Sequence, residues 1–322
     1  MRAVVVESAG GADNLKYVDL PEPRPGDGEV LVKIEAIGIN FIDIYFREGL
    51  YKAPESPVKL GNEGAGTVAA VGKGVTRRVG SRVAYAMARG SYAEYAVVPD
   101  AVLVELPSDI GFETGAAVML QGMTAHYLTH STLPLRPGHT CLVHAAAGGV
   151  GLLLVQMAKI AGASVIGTVS TDEKAQLAKE HGADHLILYT RGDFREDVKR
   201  ITGGKGVDVV YDSVGRTTFE KGLDCLRPRG LMASFGQSSG AIGPIDPLIL
   251  SQKGSLFLTR PSLANYISDP QELKWRSSDI FDWIAAGRLQ VRIHHVYSLA
   301  DAAQAHRDLE GRKTTGKLLL KP

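Results

Sequence analysis

The sequence predicts an α/β chain of two domains, a β-rich one followed by a doubly wound parallel sheet. Three observations carry that expectation. From Thr140 onward apolar runs alternate with helical patterns; before about residue 120 the runs are short and divided by glycine and proline; and the run CLVHAAAGGVG at 141–151 passes from a buried strand through small residues straight into an amphipathic helix. Strands alternating with helices fold as a parallel sheet covered on both faces, the Rossmann arrangement.

Taken in chain order, MRAVVVE at 1–7 reads as a first strand, its apolar stretch being too short for a signal peptide. Short apolar runs follow at Val30–Ile34, Gly66–Val71, Arg82–Tyr85 and Tyr92–Val98. Turn chemistry such as PGDG at 25–28 and GKG at 72–74 separates them, which predicts a compact, barrel-like sheet. Helical patterning begins near Phe112 and continues through Ala125–Leu128. Six strands are then expected near 141–144, 164–169, 185–189, 207–211, 229–235 and 255–260, with helices in most gaps. After Arg260 the pattern predicts a helix around Leu273–Ala286, a strand near Val291–Tyr297, a helix Ala300–Leu309 and a last strand Gly316–Leu320. The C-terminus is therefore expected to return to the first domain, giving 1–122 and 263–322 as one domain and 123–262 as the other. No internal repeat or low-complexity stretch interrupts this order.

Composition excludes several functions. Lys plus Arg (36) against Asp plus Glu (35) leaves +1, so no bulk charge draws the chain to nucleic acid or an anionic membrane. The two cysteines, Cys141 and Cys225, fall inside apparent αβ elements, which argues against a disulfide framework and for a reducing compartment, the cytoplasm. Cys141 to Ala158 is almost uncharged and nearly long enough to span a membrane, but His144, paired glycines and Gln156 interrupt it, and a strand, turn and helix explain the same residues.

Ala146, Gly148 and Gly151 occupy the three small-residue positions of a dinucleotide-binding turn: a tight bend, close backbone approach to phosphate, and close helix–strand packing. Beyond Gly149, helical spacing of Val150, Leu153, Leu154, Met157 and Ile160, a stop at Gly162 and a strand at Ser164–Val169 complete a βαβ unit. Such turns also occur in units that bind nothing; this one lies between strand and helix as pyrophosphate binding requires. The second strand ends in Thr168-Val169-Ser170, where an NAD site usually carries Asp or Glu. A hydroxyl followed by Lys174 suits a 2′-phosphate, so NADPH is the expected cofactor, although Ser170 also reads as the N-cap of a capping box with Glu173 at N3. No Ser-His-Asp triad or His-Glu-x-x-His motif is evident, and His144, His181 and the His294-His295 pair lack zinc-ligand spacing. Hydride transfer suits this poverty, because the cofactor carries the chemistry.

Taken together, AIGINFID at 36–43, GLY at 49–51, AAAGGVG at 145–151, VYDSVG at 210–215 and GSLFLTRP at 254–261 resemble the zinc-free quinone oxidoreductases of the medium-chain dehydrogenase/reductase superfamily, the zeta-crystallin group. The resemblance spans nearly the whole chain and implies a GroES-like catalytic domain beside the Rossmann domain, with NADPH in the cleft. Zinc-using relatives carry Cys in the first loop and Gly-His-Glu near the next strand; here stand Gly38 to Asn40 and Gly61-Asn62-Glu63, so no metal is expected. By position the resemblance implies Asn40, Phe41, Asp43, Tyr45 and Thr124 at the nicotinamide end and Gly148, Gly149 and Val150 at the pyrophosphate. It implies Ser170, Lys174, Tyr189 and Arg312 as a clamp on the 2′-phosphate, with Ser213, Gly236, Gln237, Ser238, Ser239 and Leu263 as further coenzyme contacts. Tyr51 and Tyr45 are the aromatic candidates to stack on a flat quinone, and with Asn40 form the expected catalytic set.

The expected reaction is NADPH-dependent reduction of a quinone. The enzymatic alternative is reduction of an enone or 2-alkenal; a non-catalytic NADPH- or RNA-binding protein is the rival of another class, poorly supported without a basic stripe. The apolar run Ser255–Thr259 is expected at a sheet edge, where unpaired backbone favours a homodimer.

Overall fold

Valine and leucine are the commonest residues of the segments that become strands, and those segments fall into two separate sets. The computed structural model describes residues 1–53 and 55–322. It divides them into one unit of Met1–Met123, Tyr266–Ala286 and Val291–Pro322 and a second of Thr124–Asn265 and Gly287–Gln290.

The first unit opens with β1 (Arg2–Val6), β2 (Leu15–Asp19), β3 (Glu29–Gly38), α1 (Phe41–Arg47), β4 (Val58–Lys59), β5 (Glu63–Val71), β6 (Arg82–Ala86), β7 (Tyr95–Pro99) and β8 (Leu103–Glu105). The helix α2 (Phe112–Tyr127) then leads out of it. β1 lies between β2 and β4 in a small sheet, while β3, β5, β6, β7 and β8 join two C-terminal strands in a larger one. β3 is buried along most of its length, and its Val30, Val32 and Ile34 meet Val68, Val83 and Val98 in a single apolar cluster.

In the second unit β9 (Thr140–Val143), α3 (Gly149–Ile160), β10 (Ser164–Val169), α4 (Asp172–Glu180), β11 (His185–Leu188), α5 (Phe194–Ile201), β12 (Val207–Asp212), α6 (Phe219–Leu223), β13 (Leu226–Ser234), α7 (Leu248–Gln252) and β14 (Phe257–Thr259) alternate. Every pairing is parallel, in the order β11-β10-β9-β12-β13-β14. The first strand is thus central and the connections diverge on either side of it, the switch point outside whose carboxyl end α/β sheets bind ligands. Leu142, Ile166, Val210 and Met232 are fully buried beneath it; each such side chain contributes about 1.5–3 kcal/mol of burial free energy.

The chain closes with α8 (Leu263–Tyr266), α9 (Pro270–Ala285), β15 (Ile293–Ser298), α10 (Ala302–Glu310) and β16 (Lys317–Lys321). β16 pairs antiparallel with β3 and parallel with β15, so the C-terminal strand completes the first unit's sheet.

Three local expectations change. β13 starts at Leu226 rather than 229, pairing with Val207 across a register shift that accommodates Pro228. The edge strand is shorter than 255–260 because Gly254 and Ser255 both take positive φ, 106° and 56°, and form a turn. The cap of α4 is Thr171, not Ser170: Thr171 is extended and its hydroxyl accepts from the Lys174 N–H, whereas Ser170 lies one residue too early.

Candidate active site

At the carboxyl end of β9 the chain bends at Ala145, whose φ is +54°, and the Gly148 N–H closes the turn on the Ala145 carbonyl at 2.8 Å. Gly148 then caps α3 with no side-chain acceptor for the first helical N–H groups. A Cβ at Gly151 would lie 2.2 Å from the Ala145 carbonyl oxygen, so only glycine lets helix and turn approach this closely. Donors of Gly149 and Val150 at the start of a twelve-residue helix form a fitting cradle for a pyrophosphate.

The neighbouring strand ends support the turn. His144 is buried, donates its backbone N–H to the Tyr211 carbonyl, and meets the Thr168 hydroxyl through Nδ1 at 2.9 Å. Burial lowers its pKa, so the imidazole is neutral. Asp212 accepts from the Val214 and Gly215 N–H groups at 2.7 and 3.0 Å and from the Thr218 hydroxyl at 2.9 Å, folding the post-β12 loop back on itself. That loop is stitched to the one after β13: the Ser238 N–H donates to Ser213, and the Ser239 hydroxyl to the Val214 carbonyl at 2.7 Å. A Cβ at Gly236 would fall 2.6 Å from the Ser213 carbonyl oxygen. The structure therefore brings Ser213, Gly236, Gln237, Ser238 and Ser239 together. Thr124 is buried in α2, and Leu263 is buried as the first residue of α8.

Ser170 and Tyr189 follow the adjacent ends of β10 and β11, where the Tyr189 N–H donates to the Val169 carbonyl and the Thr190 hydroxyl to that of Ser170, and Lys174 lies in the first turn of α4. Arg312 belongs to the first unit, in the turn after α10.

In the first unit Asn40 precedes α1 and is only 4% exposed. Its amide is fully engaged: Oδ1 accepts from Lys317 Nζ at 2.8 Å and Gln121 Nε2 at 3.4 Å, and Nδ2 donates to Glu63 Oε2 at 2.8 Å and the Gly38 carbonyl at 3.3 Å. Lys317 and Glu63 form a wholly buried ion pair at 2.5 Å. Burial holds the Lys317 ammonium below its usual pKa, opposed by the Glu63 charge. Asp43, in the first turn of α1, accepts from the Asn40 N–H and from Asn62 Nδ2 at 2.9 and 2.7 Å, yet burial dominates and pushes its pKa up to about 6.

A further run of contacts leads outward from Asp43 through Tyr92, His306 and Arg47 to Glu310. Arginine has no acceptor, so Arg47 must donate to His306 Nδ1; Nε2 then carries the hydrogen and donates to Tyr92 Oη at 2.9 Å. Tyr51 stacks edge-on against Tyr45 at 5.3 Å and Phe46 at 5.7 Å, and Phe41 lies 6.4 Å from Tyr45. The aromatic candidates thus form one group, with Tyr45 buried and Tyr51 partly exposed.

Sequence reasoning did not single out Lys317, Arg47 or His306. Lys317 begins a KLLLK strand and reads as a solvated end; Arg47 and His306 sit on helices among ordinary charged neighbours. Only the Gly-Asn-Glu run at 61–63 drew attention to Glu63, and it did so as a missing metal position. Among the described residues no group of three or more His, Cys, Asp or Glu is arranged to hold a metal ion.

A six-stranded parallel unit with a glycine-capped turn, joined in one chain to a strand-rich unit, defines the class: a medium-chain dehydrogenase/reductase. Residues 26–108 match the alcohol dehydrogenase GroES-like domain and 149–267 the zinc-binding dehydrogenase domain. The chain is 50% identical to a quinone oxidoreductase of Pseudomonas aeruginosa over 97% of both chains, and 44% identical to a 2-haloacrylate reductase of a Burkholderia species over 99% of this chain and 98% of that one. The structure of Escherichia coli quinone oxidoreductase complexed with NADPH superposes with a TM-score of 0.98 at 47% identity, covering all of both chains. The chain belongs to the quinone oxidoreductase family.

Proposed function

We propose that the protein is an NADPH-dependent quinone reductase working without a metal. The observation that carries this reading is the strand, turn and glycine-capped helix at 140–160, whose unladen N–H groups and Cβ-intolerant Gly151 fit a pyrophosphate. Bound NADPH supplies a hydride from its nicotinamide ring. Gly149 and Val150 would hold the pyrophosphate through backbone donors, with Gly148 leaving room for it at the helix cap while its own N–H closes the turn on Ala145, and the loops at 213–215 and 236–239 would line the coenzyme. Ser170, Lys174 and Tyr189 take the 2′-phosphate, where an ammonium attracts the charge that a carboxylate would repel; Arg312 is assigned to the same phosphate by family position.

By family position we assign Phe41, Asp43 and Tyr45 of the first unit to the nicotinamide end, and by the same family position Thr124 of the second unit. Asn40 acts there by fixing the start of α1, since its amide is spent on Lys317, Glu63 and Gln121. Tyr51 and Tyr45 provide an aromatic wall for a flat acceptor, with a phenolic hydroxyl able to donate to its oxygen as negative charge develops. The protein's part is positioning, which suffices for an acceptor as electrophilic as a quinone.

The likeness to a 2-haloacrylate reductase favours a second reading, reduction of a conjugated double bond by the same cofactor site. We assign 1–122 and 263–322 to the catalytic domain and 123–262 to the dinucleotide-binding domain, and the protein to the cytoplasm, where its two buried thiols stay reduced. Among the described residues no helix is long and apolar enough to cross a membrane. A symmetric homodimer through β14 is also proposed: it is the last strand of its sheet and Phe257 is 61% exposed. Sedimentation showing monomers alone would remove that assignment.

The test is a titration of the purified protein with NADPH and NADH, repeated with Lys174→Ala, then turnover of a quinone and of an enone. NADPH preference that collapses in the variant, followed by quinone turnover, is expected. Equal binding of both coenzymes overturns the phosphate clamp, and turnover of the enone alone reverses the choice of substrate.

A further inference from the structure

β10 and β11 run parallel with Val169 opposite Leu188, and the two chains stay side by side beyond the strand ends. Three successive links carry that adjacency: the Tyr189 N–H to the Val169 carbonyl at 3.2 Å, the Thr190 hydroxyl to the Ser170 carbonyl at 3.1 Å, and Arg191 Nη2 to Asp172 Oδ2 at 2.5 Å. Ser170, Lys174 and Tyr189 lie on these same two segments. Asp172 stands between Ser170 and Lys174, as the first residue of α4. It is 67% exposed, on the side chain, and therefore not hidden from an incoming anion. Glu173, the other acid of that turn, is turned onto the helix start, engaging its own N–H and the Thr171 hydroxyl, which hold its pKa down.

An ionised carboxylate beside the end of the second strand is the feature that ordinarily selects NADH, by accepting from the ribose hydroxyls and repelling a 2′-phosphate. This chain keeps such a carboxylate three residues past the end of β10 and binds it with an arginine from the next segment. Building on the NADPH reading above, we propose that Arg191 is a specificity-determining residue that sets the preference for NADPH over NADH by neutralising Asp172, not by holding the phosphate itself. Lys174 attracts the phosphate; Arg191 removes the opposing field.

The consequence is a particular pattern of rescue. Arg191→Ala leaves Asp172 uncompensated and weakens NADPH binding about fivefold at low ionic strength, the scale of an exposed charge pair of about 1 kcal/mol, while NADH binding is unmoved or improved. Asp172→Asn added to Arg191→Ala returns NADPH affinity to within about twofold of the unaltered protein, since the shield is no longer needed. Raising salt to 1 M closes the gap between Arg191→Ala and the unaltered protein, because exposed charges are then screened within about 3 Å.

The experiment is calorimetric titration of the full-length protein and the two variants with NADPH and with NADH, at 50 mM and 1 M salt. The rescue pattern supports the inference. If the unaltered protein prefers NADPH yet Arg191→Ala binds it equally well, or if the double variant stays as weak as the single one, this inference falls and the NADPH reading stands. If the unaltered protein shows no preference for NADPH, both fall together.

Discussion

Replacing Lys317 by methionine removes the cation that faces Glu63 at a place where neither side chain reaches solvent, with exposures of 1% and 0%. Breaking a buried pair from one side costs about 3–5 kcal/mol, because the remaining charge is left without its counterion. Glu63 keeps two donors, the Leu120 N–H at 2.6 Å and Asn40 Nδ2 at 2.8 Å, which places the loss toward the lower figure, about 3 kcal/mol. Asn40 Oδ1 simultaneously loses its 2.8 Å donor and is left with Gln121 at 3.4 Å, so the entry to α1 loosens along with the sheet. Adding Glu63→Gln removes the stranded charge and recovers most of the loss, since a buried pair exchanged for neutral groups of similar size is often close to neutral in stability. Urea unfolding followed by tryptophan fluorescence reads this directly, because Trp275 and Trp283 both lie in α9 of the same unit. A Lys317→Met protein within about 1 kcal/mol of the unaltered one, or a double variant no more stable than the single, would refute the reasoning that the ion pair is a net constraint on this site.

Two titrating groups of the same cluster give opposite slopes of stability with pH. Asp43 has its pKa raised from 3.8 to about 6, so the stability tied to its protonated form is complete below 3.8 and is lost as pH rises through about 6; the full swing is about 3 kcal/mol, and Asp43→Asn should abolish it in a pH series of urea midpoints. His306 is held from 6.5 down to about 3 by burial and the Arg47 charge, so its contribution is present above 6.5 and lost as pH falls toward 3, and His306→Gln should flatten the acid limb. The two overlap between about 4 and 6, so a variant curve that shifts in the wrong direction identifies a misassigned group. Gly151→Ala places a Cβ 2.2 Å from the Ala145 carbonyl oxygen and should abolish measurable coenzyme binding while costing about 1–3 kcal/mol of stability, as overpacked sites do; unchanged binding by calorimetry would mean the turn can open without loss.

Much of the fold is legible in the sequence because its determinants are local. The run at 141–151 reads as strand, turn and helix from neighbouring residues alone, and the structure places β9, the glycine cap and α3 there. The alternation of strands and helices likewise forecasts a six-stranded parallel sheet, since each βαβ crossover is a local event with one favoured hand. Boundaries were less legible where a tertiary partner extends or shortens an element: β13 begins early because Val207 offers Leu226 a ladder, despite the proline that follows. The cap of α4 is another such case, with two adjacent hydroxyl residues of nearly equal propensity and the choice made by where the helix backbone starts.

What the sequence by itself determined about this protein is its class: a β-rich unit, a doubly wound unit, and a small-residue turn at the mouth of the first parallel strand, with hydroxyl and lysine where an acid would select NADH. All of these depend on residue type and short-range spacing. What only the tertiary structure decided is which charges meet. Lys317 is buried because Glu63, 254 residues away, is buried opposite it, and His306 takes a defined tautomer because Tyr92, 214 residues away, and Arg47 bracket its ring. A charged residue near the end of a strand or on a helix face looks solvated in any local window; its desolvation, and therefore its role, is set by long-range packing that no spacing in the chain encodes.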